Sequence, residues 1–154
     1  MADLQTYVEE NKKERGRLAA LLAGLKEEDF DRRLPNGWTV GVALAHLAFW
    51  DLSQVHRLKR WLAQGPKPAP ISSLDPDPVN GPLAVLSESI PPREAARLAA
   101  DAAREIDALV EGLTPAQAGE LVKMGLERNL RRSVHRRSHL DKIEKLMGGG
   151  DRWP

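Results

Sequence analysis

The sequence predicts an all-α fold, a four-helix bundle with a long proline-rich crossover between its second and third helices. Three observations predict it. Leu (22) and Ala (19) outnumber Val, Ile and Thr together (16) in a chain of 154 residues, a balance that favours helices over strands. Apolar residues recur at three- and four-residue steps in four segments. Eight of the eleven prolines fall between Pro66 and Pro92, between the second segment and the third.

The first helix is predicted from about Leu4 to Leu25, with Tyr7, Val8, Leu18, Leu21 and Leu22 on its apolar stripe. Its middle is nearly all polar, so Asn11 and Arg15 fall where core residues belong. They fit either a cavity lining or a solvated stretch, and the solvated stretch is the plainer reading. The second helix follows the turn-forming Leu34-Pro35-Asn36-Gly37, opens on Thr39 as N-cap and reads through about Leu62. Val40 to Trp50 is apolar almost all round, the mark of a helix buried on most sides. Asp51, Gln54, Arg57, Lys59 and Arg60 then turn its second half toward solvent.

Alternating prolines at Pro66, Pro68 and Pro70 and again at Pro76 and Pro78 deny the chain helix and strand hydrogen bonds, so the crossover reads as extended. A short helical piece fits Pro82 to Ser89. The third helix is predicted from Pro92 to Gly112 on a stripe of Ala95, Leu98, Ala99, Ala102, Ile106, Leu109 and Val110. Thr114-Pro115-Ala116-Gln117 is a capping box for a short helical turn. The last helix is predicted from Met124 to Met147, ending at Gly148-Gly149-Gly150. Residues 1–147 read as one bundle and 148–154 as a flexible tail. Short connections favour antiparallel neighbours, and the long crossover lets the third helix run parallel to the second.

The same arithmetic bounds function. Lys and Arg exceed Asp and Glu by 23 to 22, so no whole-molecule field draws in nucleic acid or an anionic membrane. The chain has no cysteine, which excludes disulfides, thiolate metal sites and cysteine nucleophiles. No apolar run spans a bilayer and no secretion signal is visible, so the expected location is cytoplasmic.

Four histidines carry the coordinating chemistry: His46, His56, His135 and His139. His135 and His139 are four apart on a predicted helix, so both imidazoles leave one face and can share a metal. The Glu of an H-E-x-x-H protease motif is missing, Arg136 standing in its place. His46 lies in the most apolar stretch of the chain, where a buried imidazole needs a hydrogen-bond partner or a metal. Both readings stay open on spacing alone. Three imidazoles from two helices would leave the fourth position of a zinc-type site open to water or substrate. His56 points about 80° away from His46 around the helix and reads as a surface residue. Trp50, Ser53, Arg57 and Trp61 share the His46 stripe and would line a groove to the metal. Arg128, Arg131, Arg132, Arg136 and Arg137 read as a solvated, partly ion-paired face, without the interleaved aromatics that nucleic-acid stacking needs. One or two of them could flank the site and hold an anionic ligand.

The pattern resembles the DinB-like four-helix bundles, especially the DfsB-type branch, which is related to the YfiT-like and mycothiol-dependent isomerase bundles. Trp38-Thr39-Val40 through Leu44-Ala45-His46-Leu47-Ala48-Phe49-Trp50 resembles the family's W-[ST]-V-x-x-x-L-A-H-L-x-x-W start of the second helix. Asp77 followed by Val79-Asn80 resembles the branch's acidic-then-Asn crossover, and His135-x-x-x-His139-Leu140-x-x-Ile143 its last helix. Arg136 and Ser138 stand where the branch often has an aromatic and a Glu. The resemblance implies His46, His135 and His139 as ligands of a divalent metal, zinc or nickel. It also implies Trp50 and Asn80 in the pocket wall and a low-molecular-weight thiol as a further cofactor. The implied reactions are thiol-dependent transfer or metal-assisted hydrolysis of a small-molecule substrate, in stress resistance or detoxification. The other readings are a non-catalytic bundle that sequesters a small molecule or metal, and an interaction or nucleic-acid module acting through its arginines. A homodimer is compatible with leftover apolar helix surface.

Overall fold

The structure is a computed structural model that describes residues 3–65 and 76–148. Helices α1 (Leu4–Gly24), α2 (Val40–Gln64), α3 (Pro76–Ser87), α4 (Pro92–Glu111), α5 (Pro115–Lys123), α6 (Glu127–Leu130) and α7 (Ser133–Leu146) follow in order. A 3-10 turn at Glu27–Asp31 follows α1, and an isolated antiparallel bridge joins Arg33 to Thr39. None of the described helices is long and apolar enough to cross a membrane.

The long helices α1, α2, α4 and α7 make the bundle, and side-chain pairs give their directions. Tyr7 of α1 reaches Glu127, Asn11 reaches Leu130 and Ser133, and Arg17 reaches Asp141 and Glu144. Thus α1 and α7 run the same way. Gly41 lies against Pro92 and Lys59 pairs with Glu105, so α2 and α4 also run together and form the most extensive helix pair. His46 sits by His139 and Asp51 by Arg132, which sets α2 antiparallel to α7. The parallel α2–α4 pairing that the long crossover predicts is therefore present.

Local signals set the helix ends. The Thr39 hydroxyl accepts from the Val42 amide at 3.1 Å, and the Asp3 carboxylate caps α1 through the Thr6 amide at 2.9 Å. Pro92 takes the first turn of α4, and Thr114 and Gln117 form the expected box at α5. Gly37, at φ +87°, closes the tight turn before α2 in a conformation other residues avoid.

The core is two apolar clusters with a polar layer between them. One packs Leu18, Leu21, Phe30, Val40, Leu44, Leu47, Ala99, Leu140 and Ile143; the other packs Tyr7, Val55, Leu58, Ile106, Val110, Leu121 and Leu130. Between them lie buried Asn11, Glu14, Asp51, Asp107, Arg132 and Arg136. This layer corrects three sequence expectations. Asn11 neither lines a cavity nor faces solvent, whereas Arg15 does line a polar recess, where it pairs with buried Asp107 at 2.8 Å. Asp51 and Gln54 do not lead α2 into solvent; both are buried. The arginine cluster turns inward: Arg132 and Arg136 are buried, Arg131 and Arg137 pair with Glu10 and Glu14, and Arg128 stays exposed.

The predicted last helix is also two helices, broken between Leu130 and Ser133. The break has a tertiary cause. Asn11 donates to the Leu130 carbonyl at 2.7 Å and accepts from the Ser133 amide at 2.8 Å, replacing the backbone bonds lost there. In the crossover, a helix rather than extended chain begins at Pro76 and ends at Ser87, before the predicted Ser89. Pro76 and Pro78 fall in its first turn, where a missing N–H costs nothing. The Pro66, Pro68 and Pro70 run and the predicted C-terminal tail beyond Gly148 lie outside the described residues.

Replacing Asn11 with Ala leaves a carbonyl and an amide of the break without partners. The expected loss is roughly 2–4 kcal/mol of unfolding free energy, measured by urea denaturation. A loss below about 1 kcal/mol would show that the break does not need Asn11.

Candidate metal centre

The tight turn before α2 and the restart of α7 together aim the site. The Asn36 side chain accepts from the Trp38 amide at 3.0 Å, and the Leu34 amide donates to the Trp38 carbonyl at 2.8 Å, so the turn presents Trp38 at the mouth of the α2–α7 seam. Starting α7 at Ser133 puts His135 in its first turn and His139 one turn later, both facing His46.

The three imidazoles converge. His46 Nε2 lies 3.1 Å from His135 Nε2, and the ring centroids of His139 lie 4.6 Å from His46 and 4.8 Å from His135. One nitrogen from each ring falls within 4.8 Å of the others. A tetrahedral cation with bonds of about 2.0–2.1 Å sets its ligand nitrogens about 3.3 Å apart, close to the His46–His135 separation. The donor set, three imidazoles from two helices, suits zinc and nickel and leaves a coordination position for a further ligand.

All three rings are held neutral. Burial pushes His46 down to about 3, helped by the charges of His139, Arg132 and Lys142. Burial and then Arg132 push His135 down to about 2, and burial with Lys142 pushes His139 to about 4. Neutral imidazole is the ligand form, so the rings are ready for a cation at neutral pH. The neighbouring cations Arg132 and Lys142 also favour an anionic further ligand.

Aromatic rings wall the site. Trp38 stacks on His139 with centroids 6.4 Å apart and 8° between planes, and lies 4.9 Å from His46. Trp50 meets His46 edge-on at 6.4 Å and donates its indole N–H to Asn80 of α3 at 2.9 Å. Trp50 and Asn80 are thus joined to each other, and Trp50 directly to the trio. The rest of the His46 stripe is not: Ser53 bonds back to the Phe49 carbonyl, Arg57 is exposed, and Trp61 lines a separate apolar recess of about 250 Å³ with Leu62 and Ala116. The groove predicted along that stripe is therefore limited to Trp50. His56 is exposed, as its phase on the helix predicts.

Two features of the site escaped sequence reasoning. Trp38 was visible in the motif before α2, but nothing in its spacing placed it on His139. The ionic layer beside the trio was hidden altogether. Arg136, fully buried, donates to Asp51 at 3.1 Å and to Asp107 at 2.7 and 2.9 Å. Burial opposes its charge, and Asp51 and Asp107 outweigh that penalty. Arg136 is thus an ion-paired arginine of the core.

The depressed histidines make stability pH-dependent. Below the ordinary value of 6.5 the unfolded chain takes up protons that the folded rings refuse down to about 4 and lower. Stability is therefore full above 6.5 and falls as pH drops toward 4. Urea midpoints of chelator-treated protein at pH 7.5, 6.0 and 5.0 should decline, and the decline should be shallower when His46 and His139 are both Gln. Identical slopes for parent and variant would contradict the burial of neutral rings.

Among comparisons with known proteins, the family model of the DinB superfamily matches residues 10–136, a span that contains His46 and His135 and stops three residues short of His139. No curated protein and no solved structure matches the chain. The match covers most of the sequence and agrees with the helical fold found here; the chain belongs to the DinB superfamily.

Proposed function

We propose that this chain is a metal-dependent enzyme of the DfsB-type branch, acting on a small molecule in the cytoplasm. The observation that carries the reading is the convergence of His46, His135 and His139, with a nitrogen from each ring within 4.8 Å of the others. Zinc or nickel bound there would lower the pKa of a water or thiol in the open position, so that the anion forms at neutral pH. The protein's own contributions are distinct. The three neutral rings supply ligands without first losing protons from the cationic form. Arg132 and Lys142 favour the anionic partner, either hydroxide or the thiolate of a low-molecular-weight thiol. Trp38 and Trp50 exclude water from two sides and offer flat apolar faces to a substrate.

Elemental analysis of untagged protein should find about one divalent ion per chain. His46→Ala and His139→Ala variants, purified identically, should lose it while keeping their helical circular dichroism. Turnover would then be sought with thiol-transfer and hydrolysis substrates. A parent that holds no metal and cannot be loaded with zinc or nickel would overturn the reading.

A further inference from the structure

Metal-ligating histidines generally donate their second ring N–H to a carboxylate or carbonyl, which keeps the ligating nitrogen bare. At His135 the second nitrogen meets a donor instead. Arg132 Nη2 lies 3.2 Å from His135 Nδ1, and a guanidinium has no acceptor. Nδ1 must therefore accept, and neutral His135 carries its hydrogen on Nε2. That atom lies 3.1 Å from His46 Nε2, which takes the hydrogen bond. His46 then carries its own hydrogen on Nδ1, a buried atom with no hydrogen-bond partner among the described residues. The donor at His135 Nδ1 thus selects one arrangement, in which His135 and His46 bond each other through the nitrogens that face the site while the buried Nδ1–H of His46 stays unpaired among the described residues.

Arg132 is not free to turn away. Its Nε donates to Asp51 at 2.8 Å and its Nη1 to the Arg128 carbonyl at 3.1 Å, with the side chain 6% exposed. Asp51 is in turn held by Arg136.

We propose that Arg132 is a positioning residue that stores the site in this closed, self-bonded tautomer and so sets its metal affinity. The inference rests on the three-histidine reading above. A cation binds through His135 Nε2 only when that nitrogen gives up its hydrogen and Nδ1 gains one, with no net change in charge, and the Arg132–His135 contact then breaks. The site holds metal less tightly than its donor set alone would. Substituting Arg132 with Gln replaces the donor-only group by one whose amide oxygen accepts from Nδ1–H.

Nitrogen-15 NMR of histidine-labelled, metal-stripped full-length protein at pH 7.5 tests the tautomer in the parent itself. The expected spectrum shows His135 with a bare Nδ1 and a protonated Nε2, and R132Q reverses the pair. Zinc titration against a competing chelator should show R132Q binding at least about tenfold more tightly, within the range that such surrounding groups exert. An Nδ1–H tautomer in the parent, or equal zinc affinity in parent and folded R132Q, would overturn the proposal. If R132Q fails to fold, the parent spectrum decides. Zinc binding to neither protein would instead sink the metal reading, and control of affinity with it.

Discussion

One guanidinium holds the molecule's plan together. Arg136 is fully buried between Asp51 and Asp107, and so ties α7 to α2 and α4 in the middle of the bundle. Two charges leave water at each of these contacts, so the pairing adds little net stability. Removing one partner, however, leaves a buried charge uncompensated, at about 3–5 kcal/mol. The contacts therefore act as a register constraint: any slip of α7 against α2 breaks them. Arginine suits the role because its planar fork meets both carboxylates at once, which a lysine could not do.

The histidine site inherits that register. His135 immediately precedes Arg136 and His139 follows it by three, while His46 lies five residues before Asp51. Once the Asp51–Arg136 contact forms, antiparallel α2 and α7 bring the three imidazoles level with one another. Asn11 does the complementary work from α1. By bonding Leu130 and Ser133 it lets the chain restart as α7 with His135 in the first turn. Arg132 links the layer to the site directly, holding Asp51 with one nitrogen and facing His135 with another.

What could be read in the sequence follows from how local each signal is. The buried first half of α2, the apolar stripe of α4 and the caps at Thr39 and Thr114 are written within a few residues, and all appear in the structure. The convergence of His46 with His135 and His139 was legible only in part. Spacing puts His135 and His139 on one helix face but leaves His46 open between a core residue and a ligand. The family resemblance is what joins the three, which the structure brings together. Asp51, Arg132 and Arg136 were misread because periodicity assigns charges to the outside, and their partners lie 81 and 85 residues away. The break before α7 was hidden for the same reason, since no Pro or Gly marks it and its cause sits on α1. Pro76 and Pro78 misled in the other direction, because proline costs nothing in a helix's first turn, and α3 carries even Pro82 in its interior.

The central claim is that His46, His135 and His139 bind one cation together. X-ray absorption at the zinc or nickel edge of metal-loaded protein counts imidazole ligands directly. Three imidazoles and one or more further oxygen or sulfur neighbours, falling to two imidazoles in His139→Ala, is the result this account predicts. A metal bound by two or fewer imidazoles in the parent, or a spectrum unchanged in that variant, would contradict it.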